Sequence, residues 1–270
     1  MRLHEILGIK KQQVLTFKDL YANNQSQKSS PAVLPLVSSN FNEILQGGFQ
    51  EGRTYIIFGT NKTGKTQLCH QICVQAYKQF IKTTKTDNSQ FIFYFDTENT
   101  FRPERIEDLV TFFNLKTENV LKCILVSKIM SNSALLLGLN EFEELLIEKG
   151  KYLLIIDTIN SHFRSELSNE NISYETVKSK FISILKKIDD LTRNHNLITI
   201  LTAQVTANFS KKAIIKEIPV GNQFINHFFS EYLYLKSKDN EMNYVHLVNS
   251  LELTENKLSY KITSGGISDE

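Results

Sequence analysis

The chain has 270 residues, a formal net charge of +2 at neutral pH, 41% apolar and 22% charged residues, and no tryptophan. At ~100–200 residues per domain this length allows one large domain or a domain with a short appendage, and so weak a positive balance neither demands nor excludes a nucleic-acid partner. No apolar run approaches the ~18–20 residues of a membrane span, the opening "MRLHEILGIKKQQ" is too charged for a secretion signal, and three cysteines make no disulfide framework, so a soluble intracellular protein is expected.

Residues 1–31 read as a short helical segment and a polar linker, "NNQSQKSSP" at 23–31, with the core expected over 32–270. Apolar, β-rich runs then follow at 53–59, 91–96, 122–127, 151–157 and 197–204. Amphipathic stretches separate them: "TQLCHQICVQAYKQF", "RIEDLVTFFNL", "ALLLGLNEFEELLIEK" and "VKSKFISILKKIDDLTRN". Continuously apolar strands alternating with helices predict an α/β core with a mainly parallel sheet covered on both faces. After residue 230, "EYLYLKSKDNEMNYVHLVNS" and "KLSYKITSGGI" read as strands joined by short polar turns, an antiparallel extension of that sheet. Cys69 and Cys73 share a helix side with Leu68, Ile72 and Ala76; a buried face is the expectation, a metal site with His70 the alternative.

"GTNKTGKT", Gly59 to Thr66, joins the first strand to the first long helix. In the pattern GxxxxGK[S/T], glycines let successive N–H groups turn inward around phosphate oxygens, a lysine reaches the β- and γ-phosphates, and a hydroxyl ligates Mg²⁺. Gly59, Gly64, Lys65 and Thr66 supply these parts; Thr60, Asn61, Lys62 and Thr63 form the loop between, and Gln67 follows in the first helical turn. The positive end of the helix dipole serves the same anion site, and ATP with Mg²⁺ is the expected ligand. Hydrolysis needs more. The run "YLLIID" ends in Asp157, an acid placed to hold Mg²⁺ through water, although buried strands also end in Asp for capping. Glu98, in "FDTENT" after another strand, stands where a general base could orient water, although an acid ahead of a helix opened by Pro103 fits the same place. Arginine is scarce, six against 25 lysines, and three of the six are Arg102, Arg105 and Arg164, in "FRPER" and "SHFR", where a planar stacking guanidinium is wanted.

The motifs "GKTQLCHQ", "DTENTFRPERI", "LLIIDTINSHFRSE", "LTAQV", "PVGNQFINHF" and "YKITSGGISDE", in that order, resemble the RadA-type recombinases of archaea and their eukaryotic counterparts, members of the RecA-fold ATPases. The resemblance runs from about Pro35 to the last residue. It implies a RecA-like core in which ATP lies between adjacent protomers wound on single-stranded DNA. It also implies Glu98 as catalytic base, Lys65 and Gln204 on the reacting phosphate with Gln204 as its sensor, Arg105 stacked on adenine, and His227 relaying the sensor's state. On its residues alone, Gln204 ends a parallel strand at the expected edge, whereas His227 reads as a core or cap histidine. The family's second DNA-binding loop falls on "TANFSKKAIIKEIPVG", where Lys211, Lys212 and Lys216 surround Phe209 and Ile214. Arg164, Phe209 and the three lysines make the expected DNA-binding set, a solvated basic loop being the alternative.

The departures from the family are concentrated at its interfaces. The helix-hairpin-helix domain ahead of the core is expected to be missing. The Phe-x-x-Ala plug would fall near "VLTF", Val14 to Phe17, where neither anchor is kept. The first DNA-binding loop reads "SELSNENISYE", with Glu166, Glu170 and Glu175 in place of basic residues. The stretch that covers a neighbour's nucleotide reads "NSLELTE", without the acid at Asn249 or the prolines at Leu251 and Thr254. Three functions fit: an accessory recombination-repair ATPase that hydrolyses ATP slowly and works with single-stranded DNA and a recombinase or paralogue through the ATP-side interface; a self-sufficient filament-forming recombinase; or an ATP-binding interaction module with little turnover. The expected places are the nucleoid or cytoplasm of an archaeon or the nucleus of a eukaryote.

Overall fold

The structure, a computed structural model, describes residues 31–81, 91–146, 150–210, 213–238 and 242–269. The expected N-terminal segment with its "VLTF" stretch, and Lys211 and Lys212, lie outside the described residues. A nine-stranded sheet forms the centre. Its parallel part comprises β3 (Arg53–Phe58), β4 (Ile92–Asp96), β5 (Ile124–Lys128), β6 (Leu153–Asp157), β7 (Ile198–Ala203) and β10 (Glu231–Ser237), and its antiparallel part adds β11 (Asn243–Asn249), β12 (Asn256–Thr263) and β13 (Gly266–Ser268). The order across the sheet is β13-β12-β11-β10-β3-β7-β6-β4-β5, with β10, β3, β7, β6, β4 and β5 pairing in parallel and the last three strands antiparallel. The expected α/β core with its antiparallel extension is therefore the observed one. Strands β4, β6 and β7 are buried along their whole length, which is why their sequences show no alternation.

Helix α1 (Ser39–Ile44) lies against β11 and β12, and α2 (Lys65–Ile81) crosses from β3 to β4, with α3 (Pro103–Phe112) and α4 (Thr117–Lys122) continuing to β5. The chain then reverses along the sheet through α5 (Asn132–Leu145) and, after β6, through α6 (Ser161–Leu167) and α7 (Tyr174–Asn194). Right-handed crossovers in opposite directions place the two helix groups on opposite faces and open a crevice at the carboxyl ends of β3, β6 and β7. Helix α7 shows how local sequence makes an element. Ser173 accepts the Thr176 N–H as N-cap, and Val177, Phe181, Ile184, Leu185, Ile188 and Leu191 bury one stripe against the sheet. Cys69 and Cys73 lie fully buried in the core with Leu68, Ile72 and Ala76, and burial pushes both thiols up, so they stay protonated and serve packing.

Short elements escaped the sequence reading. The two-residue strands β1 (Val33–Leu34) and β2 (Phe49–Gln50) pair around α1, and β8 (Val205–Ala207) pairs with β9 (Glu217–Pro219) before α8 (Asn222–Ile225). The stretch read as one loop, 206–221, is thus a two-stranded ribbon with an exposed tip. Among the described residues no helix is long and apolar enough to cross a membrane.

Candidate functional site

Gly59 to Thr66 turns between β3 and α2 at the crevice. A Cβ at Gly59 would stand 2.1 Å from the Leu235 carbonyl oxygen. At Gly64, where φ is +89°, one would stand 2.8 Å from Ile262 Cδ1, so neither position accepts a side chain. Lys65 Nζ donates to the Gly59 and Thr60 carbonyls at 2.8 and 2.9 Å. Burial lowers the Lys65 pKa, opposed by the nearby carboxylates of Asp157 and Glu98. A cleft of about 350 Å³ opens here, lined by the loop and by Thr66, Gln67, Glu98, Thr100, Asp157, Thr158 and Gln204.

Asp157 ends β6 beside Asp96, which ends β4 in register with it. Thr66 Oγ1 donates to Asp157 Oδ2 at 2.7 Å, Tyr94 OH to the same oxygen at 2.9 Å, and Thr202 Oγ1 to Oδ1. A hydroxyl and a carboxylate converging beside a phosphate-binding turn are hard oxygen donors suited to Mg²⁺, which takes one or two protein ligands and fills the rest with water and phosphate. Among the described residues there is no cluster of three His, Cys, Asp or Glu. Thr66 and Asp157 fit the ion.

Asp96 works on the backbone. Its carboxylate accepts the N–H groups of Glu98, Thr100 and Phe101 at 3.2, 3.0 and 2.9 Å, fixing the loop after β4. That loop carries Glu98 to the mouth of the cleft, where Oε1 accepts from Thr158 Oγ1 at 3.0 Å and from Gln204 Nε2 at 2.5 Å. Gln204 Oε1 in turn accepts from Arg164 Nη1 at 3.2 Å. Glu98 therefore faces the cleft, and the acid in the first turn of α3 is Glu104.

The remaining expected residues fall into three places. Arg105 stands beside the cleft, its guanidinium held by Gln67 Oε1 at 2.5 Å and by the Thr263 and Ser264 carbonyls at 2.9 and 2.6 Å. His227 is exposed in the turn after α8 and is absent from the cleft lining, so the structure does not bring it into this site. Phe209 and Ile214 stand 90% and 89% exposed at the ribbon tip, with Lys216 exposed beside them. The first loop is mostly helix end and turn. Glu166 is half-buried, accepting the Asn132 N–H at 3.4 Å with Lys180 4.0 Å away, so only Glu170 and Glu175 face outward there.

Sequence reasoning passed over Asp96, Thr97, Thr202 and Asn160. Thr97 Oγ1 accepts from the Thr158 N–H and Ser161 Oγ at 2.7 and 2.8 Å and donates to the Thr158 carbonyl at 2.8 Å. The repeated Asp-Thr after "FYF" and "LII" was the available signal, because two such endings on adjacent parallel strands stand side by side.

A family model described as Rad51 matches residues 29–270. The chain is 31% identical over 240 residues to the "Meiotic recombination protein DMC1/LIM15 homolog" of Mus musculus, covering 86% of this chain and 68% of that protein. It is 28% identical to the "Meiotic recombination protein DLH1" of Candida albicans, covering 86% and 72%. To the "DNA repair protein RAD51 homolog B" of Zea mays it is 25% identical, covering 86% and 68%.

Proposed function

Because the chain belongs to the Rad51 family, a family of DNA recombination and repair, we propose that it is an intracellular ATPase assisting a main recombinase on single-stranded DNA, with slow turnover of its own. The observation that carries this reading is Glu98 at the cleft mouth, joined to Thr158 and Gln204 while Thr66 and Asp157 face each other on the inner side. Backbone N–H groups of Gly59 to Thr66 and Lys65 would bind the phosphates, Thr66 and Asp157 would hold Mg²⁺, and Glu98 would orient and deprotonate the attacking water. The ion supplies charge compensation at the phosphates. Arg105, held beside Gln67, would offer its guanidinium face to an adenine, and Gln204, which bonds Glu98, would turn to a γ-phosphate.

The accessory role is supported by the interface departures. Asn249 to Glu255 lie at the amino end of the parallel strands, where Glu252 pairs with Arg53, so this stretch cannot reach its own chain's cleft at the opposite end. It would face a neighbour, and there it lacks the acid and prolines expected of a nucleotide cover. The partner would be a recombinase or paralogue meeting the ATP side of this chain; Phe209 and Lys216 of the ribbon with Arg164, and Lys211 and Lys212 from the sequence between, would meet DNA.

Glu98→Gln is expected to bind ATP like the parent and to lose turnover by ~10²–10⁴-fold, the contribution of a general base. Lys65→Ala is expected to lose binding. Normal hydrolysis by Glu98→Gln would remove the base assignment, and a parent whose turnover ignores single-stranded DNA would favour a nucleotide-stabilised interaction module.

A further inference from the structure

One fully buried side chain joins the cleft to the ribbon. Asn160, after β6, accepts the Gln204 N–H on Oδ1 at 2.9 Å and donates from Nδ2 to the Gln204 carbonyl at 3.0 Å and the Val220 carbonyl at 2.9 Å. The Val220 N–H closes the set by donating to the Gln204 carbonyl at 2.9 Å. Gln204 and Val220 are the residues just before and just after the ribbon of β8 and β9, so Asn160 holds both of its roots. The next residue, Gly221, has φ +77° and no room for a Cβ, which would stand 2.9 Å from Phe163 and 3.1 Å from Phe181. The returning root is thus packed on the α6–α7 ring stack.

On the other side, Gln204 donates to Glu98. Asn160 is also continuous with the segment that holds the Glu98 loop, through Ser161 to Thr97. We infer that Asn160 is a positioning residue through which displacement of the ribbon moves the Gln204 main chain and so the amide facing Glu98. The inference rests on the proposed roles of Glu98 and the ribbon and deepens them. A buried amide with all its groups bonded to main chain has a single low-energy orientation, because turning it over would set Nδ2 against an N–H and Oδ1 against two carbonyls. Movement at either root is therefore transmitted instead of absorbed.

Asn160→Asp keeps the volume and the oxygen that accepts the Gln204 N–H, but sets a second oxygen against the Gln204 and Val220 carbonyls. We expect ATP affinity like the parent's and a ratio of oligothymidine-stimulated to DNA-free turnover that falls ~10-fold, within the range of site–site couplings. A merely structural residue would lower both turnovers together and leave their ratio as in the parent. A variant stimulated like the parent overturns the inference alone, whereas a parent that is not stimulated overturns the functional reading and this inference with it. Amide exchange in the parent gives an independent check if the variant does not fold. A non-hydrolysable ATP analogue is expected to change exchange across Val205 to Val220, and an unaltered ribbon overturns the inference.

Discussion

Asp96 and Asp157 end neighbouring strands with the same residue type and do different work, one fastening main-chain N–H groups and the other gathering hydroxyls. Asp96 is only 4% exposed, so its loss leaves three N–H groups without an acceptor around the loop that carries Glu98. Asp96→Ala is expected to lower stability by about 2–4 kcal/mol, the range for removing a buried charged acceptor, and to reduce turnover beyond what unfolding explains. Urea unfolding and ATP turnover at a temperature where the variant remains folded check both parts. Residues of this kind were illegible because their partners lie far along the chain: Asn160 meets Gln204 44 positions away and Thr202 meets Asp157 45 away. Gly59, Gly64, Lys65 and Thr66 were legible because one continuous phosphate-binding turn fixes their spacing.

At the scale of elements, the long strands and helices could be read from their apolar periods, whereas the two- and three-residue strands and α1 are shorter than any period can show. Helix α1 is fastened from a distance. Asp269 accepts from Ser38 Oγ at 2.5 Å and from the Ser39 and Asn40 N–H groups at 2.7 and 3.2 Å. Partial burial raises its pKa, but the hydrogen bonds from Ser38, Ser39 and Asn40 together outweigh burial and hold it below 3.8. A carboxyl lowered on folding contributes stability that is present above its unfolded pKa and lost as pH falls through the folded one. Asp269→Asn is therefore expected to lose about 1 kcal/mol at neutral pH, like a removed cap, with the difference from the parent shrinking below pH 3.8. Urea titrations along a pH series measure it. For the ribbon, replacing Lys211, Lys212 and Lys216 by Ala is expected to weaken single-stranded DNA binding and flatten the log–log salt slope by ~0.7 per lost phosphate contact. Unchanged affinity across the salt series would move the DNA site elsewhere.

For the whole molecule the governing question is assembly. A head-to-tail filament needs two complementary surfaces on every protomer, and altering one of them limits growth to caps or short runs. The cleft is lined by Lys65, Thr66, Glu98, Asp157 and Gln204, while the Asn249–Glu255 stretch at the opposite end of the strands lacks the acid and prolines expected of a cover for a neighbour's nucleotide. Sedimentation with ATP is expected to show monomers or short oligomers, and electron microscopy of the isolated protein on single-stranded DNA no long regular filaments. Such filaments would make it a self-sufficient recombinase. The cleft side depends on the antiparallel strands for its own shape. The Tyr260 hydroxyl donates to the Thr63 carbonyl, Ile262 packs on Gly64, and the Gln71 amide exchanges two hydrogen bonds with Ile267. These contacts span up to 197 positions, so the phosphate-binding turn leaves the ribosome long before the strands that brace it. Until then the turn carries its phosphate-binding residues without the contacts that shape it, so an interrupted chain is expected to hold ATP more weakly than the whole domain.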